Sequence, residues 1–280
     1  MKSRILVIIL LISTSSLFIN CSKKADGATT TPVDTTHTPP VILPYKLVWS
    51  DEFNGTGLPD STKWSYDVGG NGWGNHELEY YTQARVENAR MENGNLVIEA
   101  RKESFGGKAY TSARLLTKNK AQWTYGMFEI RAKIPHGNGT WPAIWTLSAH
   151  DPLNWPQDGE IDIMEAIGSN PNIIYGTCHN LAYHGATGKG STTSISLAPD
   201  SFHIYKIEWT PDKIDWYVDD NQYYSYVNPH TGNDVWPYYN DFFMILNVAV
   251  GGDFGGQKGV DDSAFPQQML VDYVRVYQRK

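Results

Sequence analysis

From Met127 to Ile134 the chain alternates strictly, with Phe128, Ile130, Ala132 and Ile134 on one face and Glu129, Arg131 and Lys133 on the other. A period of two residues is the pattern of a half-buried β-strand. Leu96 to Ala100, Ile204 to Trp209, Ile214 to Val218, Phe243 to Val250 and Met269 to Tyr277 read similarly, separated by clusters of Gly, Pro, Asn and Asp. Asn93-Gly94-Asn95 and Val218-Asp219-Asp220-Asn221 have the composition of hairpin connections. No helical stretch exceeds about two turns, and no segment repeats. Many short strands with turn-rich connections predict an all-β fold, a β-sandwich of jelly-roll type.

One run breaks the pattern. Glu160-Ile161-Asp162-Ile163-Met164-Glu165 places three carboxylates within a short apolar segment. Glu and Met favour helix, so a helix beginning at Asp158 competes locally. Ile161, Ile163 and Ile167 are β-branched, and the turn-forming Trp155-Pro156-Gln157-Asp158-Gly159 precedes them, which favours a strand. In a regular strand Glu160, Asp162 and Met164 share a face, and Glu165 points away. A β-bulge with Met164 as the extra residue brings Glu165 onto the face of Glu160 and Asp162. Paired carboxyls across a cleft are the equipment of a retaining glycosidase. Three crowded carboxylates also hold at least one proton near neutral pH, which a general acid needs. Taken alone, the same trio also fits a solvated strand face.

Composition narrows the reading. The 280 residues, 41% of them apolar, suffice for one large all-β domain. Met1-Lys2-Ser3-Arg4 followed by Ile5 to Ile12 reads as a secretory signal, too short for a permanent membrane span. Cys21 resembles the lipidated first residue of a mature bacterial lipoprotein, although Asn20 departs from the small residue usual before it. This divides the chain into a signal at 1–20, a Thr/Pro-rich tether at 21–44 and a folded domain at 45–280. The predicted address is the cell envelope, with the protein lipid-anchored to the outer membrane, facing either the periplasm or outward. Cys178 is then unpaired and reads as a small buried hydrophobe. Losing Lys2 and Arg4 with the signal takes the net charge from -7 to -9, and no basic stripe suggests nucleic acid. Ten Trp and 17 Tyr in an acidic exported chain lean toward carbohydrate, since aromatic rings stack on sugars.

Several blocks in order resemble glycoside hydrolase family 16, in its laminarinase-like branch. They are Trp49-Ser50-Asp51-Glu52-Phe53, Gly72 to Thr82, Gly137 to Trp145, the carboxylate run, Asn247 to Gly252 and Val271 to Tyr277. The branch has the spacing E-x-D-x-x-E, whereas mixed-linkage lichenases have E-x-D-x-E. The resemblance implies an endo-acting β-1,3-glucanase with a concave substrate cleft and tolerance for mixed β-1,3/1,4 chains. It assigns Glu160 as nucleophile, Asp162 as its assistant and Glu165 as acid/base. It further implies Trp141 and Trp145 as the floor of the donor subsites, Trp123 near the cleft, Asn75 and Arg114 as hydroxyl partners, and His179 on the leaving-group side. By alternation Asp272 shares a face with Leu270, Val274 and Val276, where a carboxylate needs a partner. The resemblance suggests a structural calcium held by Glu52, the Gly94 carbonyl and Asp272, with a salt bridge as the alternative. Catalysis needs no cofactor, and a monomer is expected. Two other functions remain open: a surface glycan-binding lipoprotein without turnover, and the same fold acting on a galactan such as agarose or carrageenan.

Overall fold

A computed structural model describes residues 44–279; the leader, the lipidation candidate Cys21 and nearly all of the tether lie outside them. The alternating segments form two sheets. The larger has ten strands, in the order Asn221–Val227, Lys213–Val218, His203–Trp209, Gly126–Lys133, Gln267–Arg279, Asn95–Phe105, Lys108–Ser112 and Glu79–Tyr81. Tyr45–Asp51 adds to Gln267–Arg279, and Ala89–Glu92 adds to Asn95–Phe105. The smaller, seven-stranded sheet runs Lys189–Ser194, Ile173–His179, Glu160–Glu165, Thr140–Ser148, Phe242–Val250, Arg114–Leu116 and Ser65–Asp67. All its pairings are antiparallel.

Why the sheets stack follows from their alternation. Phe128, Ile130 and Ala132 are fully buried, as are Met244, Leu246, Val248 and Val250 from the facing sheet, and they join one core. Apolar area removed from water is the main stabilising contribution here. The hairpin turns read from sequence are present. Asn93 and Gly94 have φ of 54° and 75°, and Asp219 and Asp220 have 48° and 64°, the left-handed pairs that a tight hairpin requires. The helical content includes one short helix, Gly252–Gly255.

The central strand Phe242–Val250 is buried along its whole length because both its faces are covered. Its even-numbered side chains fill the inter-sheet core. Phe243 and Ile245 pack on the other side, with Leu116, Leu147 and Trp145. That other side, carrying Asn247 and Ala249, lines a cleft of about 930 Å³.

Two sequence expectations change here. Trp123 is only 7% exposed and lies in the core, edge-on to Trp49 at 5.4 Å and to Phe128 at 5.6 Å. It does not line the cleft; packing against two aromatic neighbours draws it inward. Asp272 does not share a face with Val274 and Val276, because the register of Gln267–Arg279 slips between Val271 and Tyr273. The slip turns Asp272 outward, where its Oδ2 accepts from Arg131 Nη1 at 2.5 Å. Glu52 is engaged by both Nε and Nη2 of Arg275, at 3.0 and 2.8 Å. Each carboxylate of the expected calcium pair therefore has its own guanidinium. Gly94 forms the hairpin turn, and Asp272 and Glu52 make the ion pairs of the salt-bridge alternative.

Candidate active site

The strand Glu160–Glu165 carries the bulge, and its register shows what the bulge does. Against Thr140–Ser148, Asp162 faces Trp145, Met164 faces Ile144 and Glu165 faces Ala143. Ile163 is thus the residue left without a partner on that edge, rather than Met164. On the other edge Asp162 faces Thr177 and Glu165 faces Tyr175, so Ile163 and Met164 together oppose Gly176. Both are buried in the core. Two consecutive apolar side chains point inward, each burial worth about 1.5 to 3 kcal/mol, and Glu165 emerges beside Ala143.

A bulge disrupts the ladder, so its backbone groups need other partners. Trp216, fully buried and reaching across from the larger sheet, donates its indole N–H to the Asp162 carbonyl at 2.8 Å. Gly176 leaves room for that ring, since a Cβ there would lie 2.5 Å from Trp216 Cδ1.

The result is a row across the whole sheet. Asp67, Arg114, Asn247, Ala143, Glu165, Tyr175 and Thr192 are successive cross-strand partners, one from each strand. Glu160 and Asp162 face the cleft further along the same strand, and His179 is the register partner of Glu160.

Each carboxylate has distinct surroundings. Trp155 Nε1 donates to Glu160 Oε2 at 3.0 Å, and Trp141 Nε1 donates to Glu165 Oε1 at 2.9 Å. Asp162, 3% exposed, has Oδ2 3.2 Å from His179 Nε2, which is also 3.7 Å from Glu160 Oε1. Burial lifts the Glu160 carboxyl well above the usual carboxylate range, and the charge of Asp162 lifts it further. Asp162 is likewise raised well above its usual value, first by burial and then by Glu165. Burial also raises Glu165, against the pull of the Trp141 hydrogen bond and His179. The site therefore retains protons that exposed acids have lost at neutral pH.

Among the described residues, Glu160, Asp162 and His179 form the group able to approach a metal ion, with ligand atoms within 4.8 Å. A ligating imidazole ordinarily donates its other N–H to an acceptor. His179 Nδ1 is buried without a partner. His179 lacks that anchoring bond and stands instead within ion-pair range of Asp162 and Glu160.

Asn75, Arg114, Trp141, Trp145 and His179 all line the cleft. Arg114 is held between Trp73 and Trp145, 4.8 and 4.7 Å from the ring centres, with Asp67 2.9 Å from its Nε. Its side chain is 11% exposed, so it is part of the cleft wall and not a solvated surface charge. Sequence reading missed Trp155, Asn247 and Glu77. Trp155 precedes Glu160 by five residues in the turn already identified, and Asn247 is the one polar side chain in a nine-residue apolar strand. Both carried a visible signal.

A jelly-roll sandwich with a long aromatic cleft and paired protonatable carboxylates on its floor defines a polysaccharide-cleaving glycosidase. The sequence profile of glycosyl hydrolases family 16 matches residues 76–275, and the chain belongs to that family. It is 54% identical over 243 residues to a beta-glucanase of Rhodothermus marinus, covering 83% of this chain and 85% of that one. The crystal structure of the Rhodothermus marinus laminarinase superimposes with a TM-score of 0.83 at 53% identity, over 85% of this chain and 99% of that one. A mutant of SCLam, a non-specific endo-beta-1,3(4)-glucanase co-crystallised with a glucan oligosaccharide, gives a TM-score of 0.82 at 47% identity, over 85% and 97%.

Proposed function

We propose that the chain is an endo-acting, retaining β-1,3-glucanase that also accepts mixed β-1,3/1,4-glucan. The observation that carries this is the bulge, which sets Glu165 on the face of Glu160 and Asp162 while each glutamate keeps its own indole donor. Glu160 attacks the anomeric carbon as Glu165 gives its proton to the departing glycosidic oxygen, forming a glycosyl-enzyme. Water enters, Glu165 takes its proton, and the hydroxyl displaces Glu160 with overall retention. Asp162 and His179, packed against Glu160, tune its charge between the two steps. Trp141 and Trp145 supply apolar faces for sugar rings, and Arg114 and Asn75 supply hydroxyl partners. Pure glycan binding has no use for three crowded acids, because taking each out of water costs free energy that binding alone does not require.

The test is release of reducing ends from laminarin, lichenan, agarose and carrageenan by wild type, Glu160→Gln and Glu165→Gln. Turnover on the first two substrates is expected, with a fall of about 10²- to 10⁴-fold in either variant. Near-normal laminarin turnover by a folded variant removes the mechanism, and a preference for agarose or carrageenan removes the substrate.

The same reading puts this domain on the cell envelope as a monomer, with residues 1–20 as leader, 21–44 as tether and Cys21 lipidated. Its support is the order of basic, apolar and cysteine residues at the start of the chain. Radiolabelled palmitate incorporation that survives in Cys21→Ala would remove the anchor.

A further inference from the structure

A second pair of acids lies beneath the opposite wall of the cleft, and the reaction described above does not use it. Glu77 is 4% exposed and Glu79 is fully buried, two residues apart and so on one side of their segment. Glu77 is the end point of several hydrogen bonds. Its Oε1 accepts from Asn75 Nδ2 at 3.3 Å, and its Oε2 accepts from the Tyr81 hydroxyl at 3.0 Å. Tyr81 in turn accepts from Asn247 Nδ2 at 3.0 Å, and Asn247 Oδ1 accepts from Trp145 Nε1 at 2.7 Å. Every donor in this chain points toward Glu77, so Glu77 is the anion that terminates it.

A second anion at Glu79 would be poorly compensated. Its Oε2 accepts from the Val250 N–H at 2.6 Å, while Oε1 is buried with no donor of its own. An acceptor without a donor in a dry site costs free energy, and a proton on that oxygen removes the cost by making it a donor. Its neighbour able to receive such a bond is the Glu77 carboxylate, and burial together with the charge of Glu77 raises the Glu79 carboxyl well above its usual value.

We propose that Glu79 is a positioning residue: as a neutral acid it ties the Val250 N–H to the Glu77 carboxylate and so aligns Asn75, Tyr81, Asn247 and Trp145 for glucan. The link is mechanical as well as electrostatic. Leu78 N–H donates to the Val250 carbonyl at 2.9 Å, and the Asn75 carbonyl accepts from Asp253 N at 2.8 Å. The wall of the cleft is thereby fastened to the end of the strand that carries Asn247. Glu79 itself touches no substrate; it acts through Asn75 and Trp145.

This inference rests on the glucanase reading, which wild-type turnover on laminarin tests by itself. The variants then address Glu79. A glutamine side chain cannot ionise, yet it offers the same acceptor and a donor, so Glu79→Gln is expected to keep KM for laminarin within about twofold. Glu79→Leu removes both roles and is expected to raise KM roughly tenfold with kcat within about twofold. Tyr81→Phe breaks the chain between Glu77 and Asn247 with little change in volume, and the same split is expected if Glu79→Leu does not fold. The wild-type minus Glu79→Gln infrared difference should show loss of a protonated carboxyl band. Equal damage from the Gln and Leu variants, a fall in kcat alone, or no carboxyl band in the difference would each overturn the proposal. If wild type binds laminarin without turnover, dissociation constants replace KM in the same comparison.

Discussion

Two strands of this protein, Glu160–Glu165 and Gln267–Arg279, each carry one extra residue, and the two bulges work in opposite directions. In the first, consecutive apolar side chains, Ile163 and Met164, both turn into the core, and a carboxylate emerges in the cleft. In the second, Asp272 and Tyr273 both turn away from the core, and Val274 and Val276 resume the inward alternation. Arg131 takes Asp272, while Arg275 lies 3.7 Å over the Tyr273 ring and holds Glu52. A carboxylate out of phase with apolar neighbours signals a bulge in both places. What differs is the company each finds: an indole donor and crowded acids in a cleft, or guanidinium groups on the outer face of the larger sheet. The first arrangement raises carboxyl pKa values and retains protons, whereas Arg275 holds the Glu52 carboxyl below its usual range.

Deleting Met164 would break this contrast most severely. The strand then alternates strictly with the E-x-D-x-E spacing, and the core loses a buried side chain, at a cost of about 2 to 5 kcal/mol. Laminarin hydrolysis is expected to fall about a hundredfold, since small displacements of reacting groups have effects of that size, and the lichenan-to-laminarin activity ratio should rise. An unchanged ratio in a folded deletion variant would show that the bulge does not set the site.

A smaller effect is expected at the indole donor. The Trp155 hydrogen bond favours the charged form of Glu160, so Trp155→Phe raises the Glu160 pKa. The acid limb of kcat/KM should move to higher pH, by up to about one unit. A limb that stays in place would mean that Glu160 does not govern it.

Glu165→Gln also bears on stability. The folded-state pKa of Glu165 is raised, so its contribution is fully present below the unfolded value and is lost as pH rises through the folded one. The Gln variant avoids that loss and should melt a few degrees higher than wild type, roughly 2 to 4 °C, at neutral pH. The gap should close as pH falls below about 4. Melting curves across that range check the sign.

The smallest effect belongs to the Asp272 ion pair. Asp272→Asn should cost no more than about 1 kcal/mol and leave laminarin turnover unchanged, because a partly exposed ion pair is weak. Melting temperature should not respond to EDTA or added calcium. A calcium-dependent rise that Asp272→Asn abolishes would restore the ion-binding reading of Glu52, Gly94 and Asp272.

Much of this molecule was legible in the order of its residues. Strict alternation from Met127 to Ile134, left-handed turn residues at Asn93-Gly94, and three acids in an apolar run depend on local geometry, and local geometry repeats every two residues. The need for a bulge was legible too, because Glu165 could reach the other acids in no other way. Its distribution over Ile163 and Met164 was decided by packing against Ile144, Gly176 and Trp216, residues distant in the chain. The same distance hid the rest. Trp123 looks like a cleft residue until Trp49 and Phe128 close over it, and Asp272 looks like an ion ligand until a second bulge delivers it to Arg131. Sequence determined which residues alternate and which break the alternation. Only the stacked sheets decided where each break leads, since a side chain's partners across a sheet come from strands tens to hundreds of residues away.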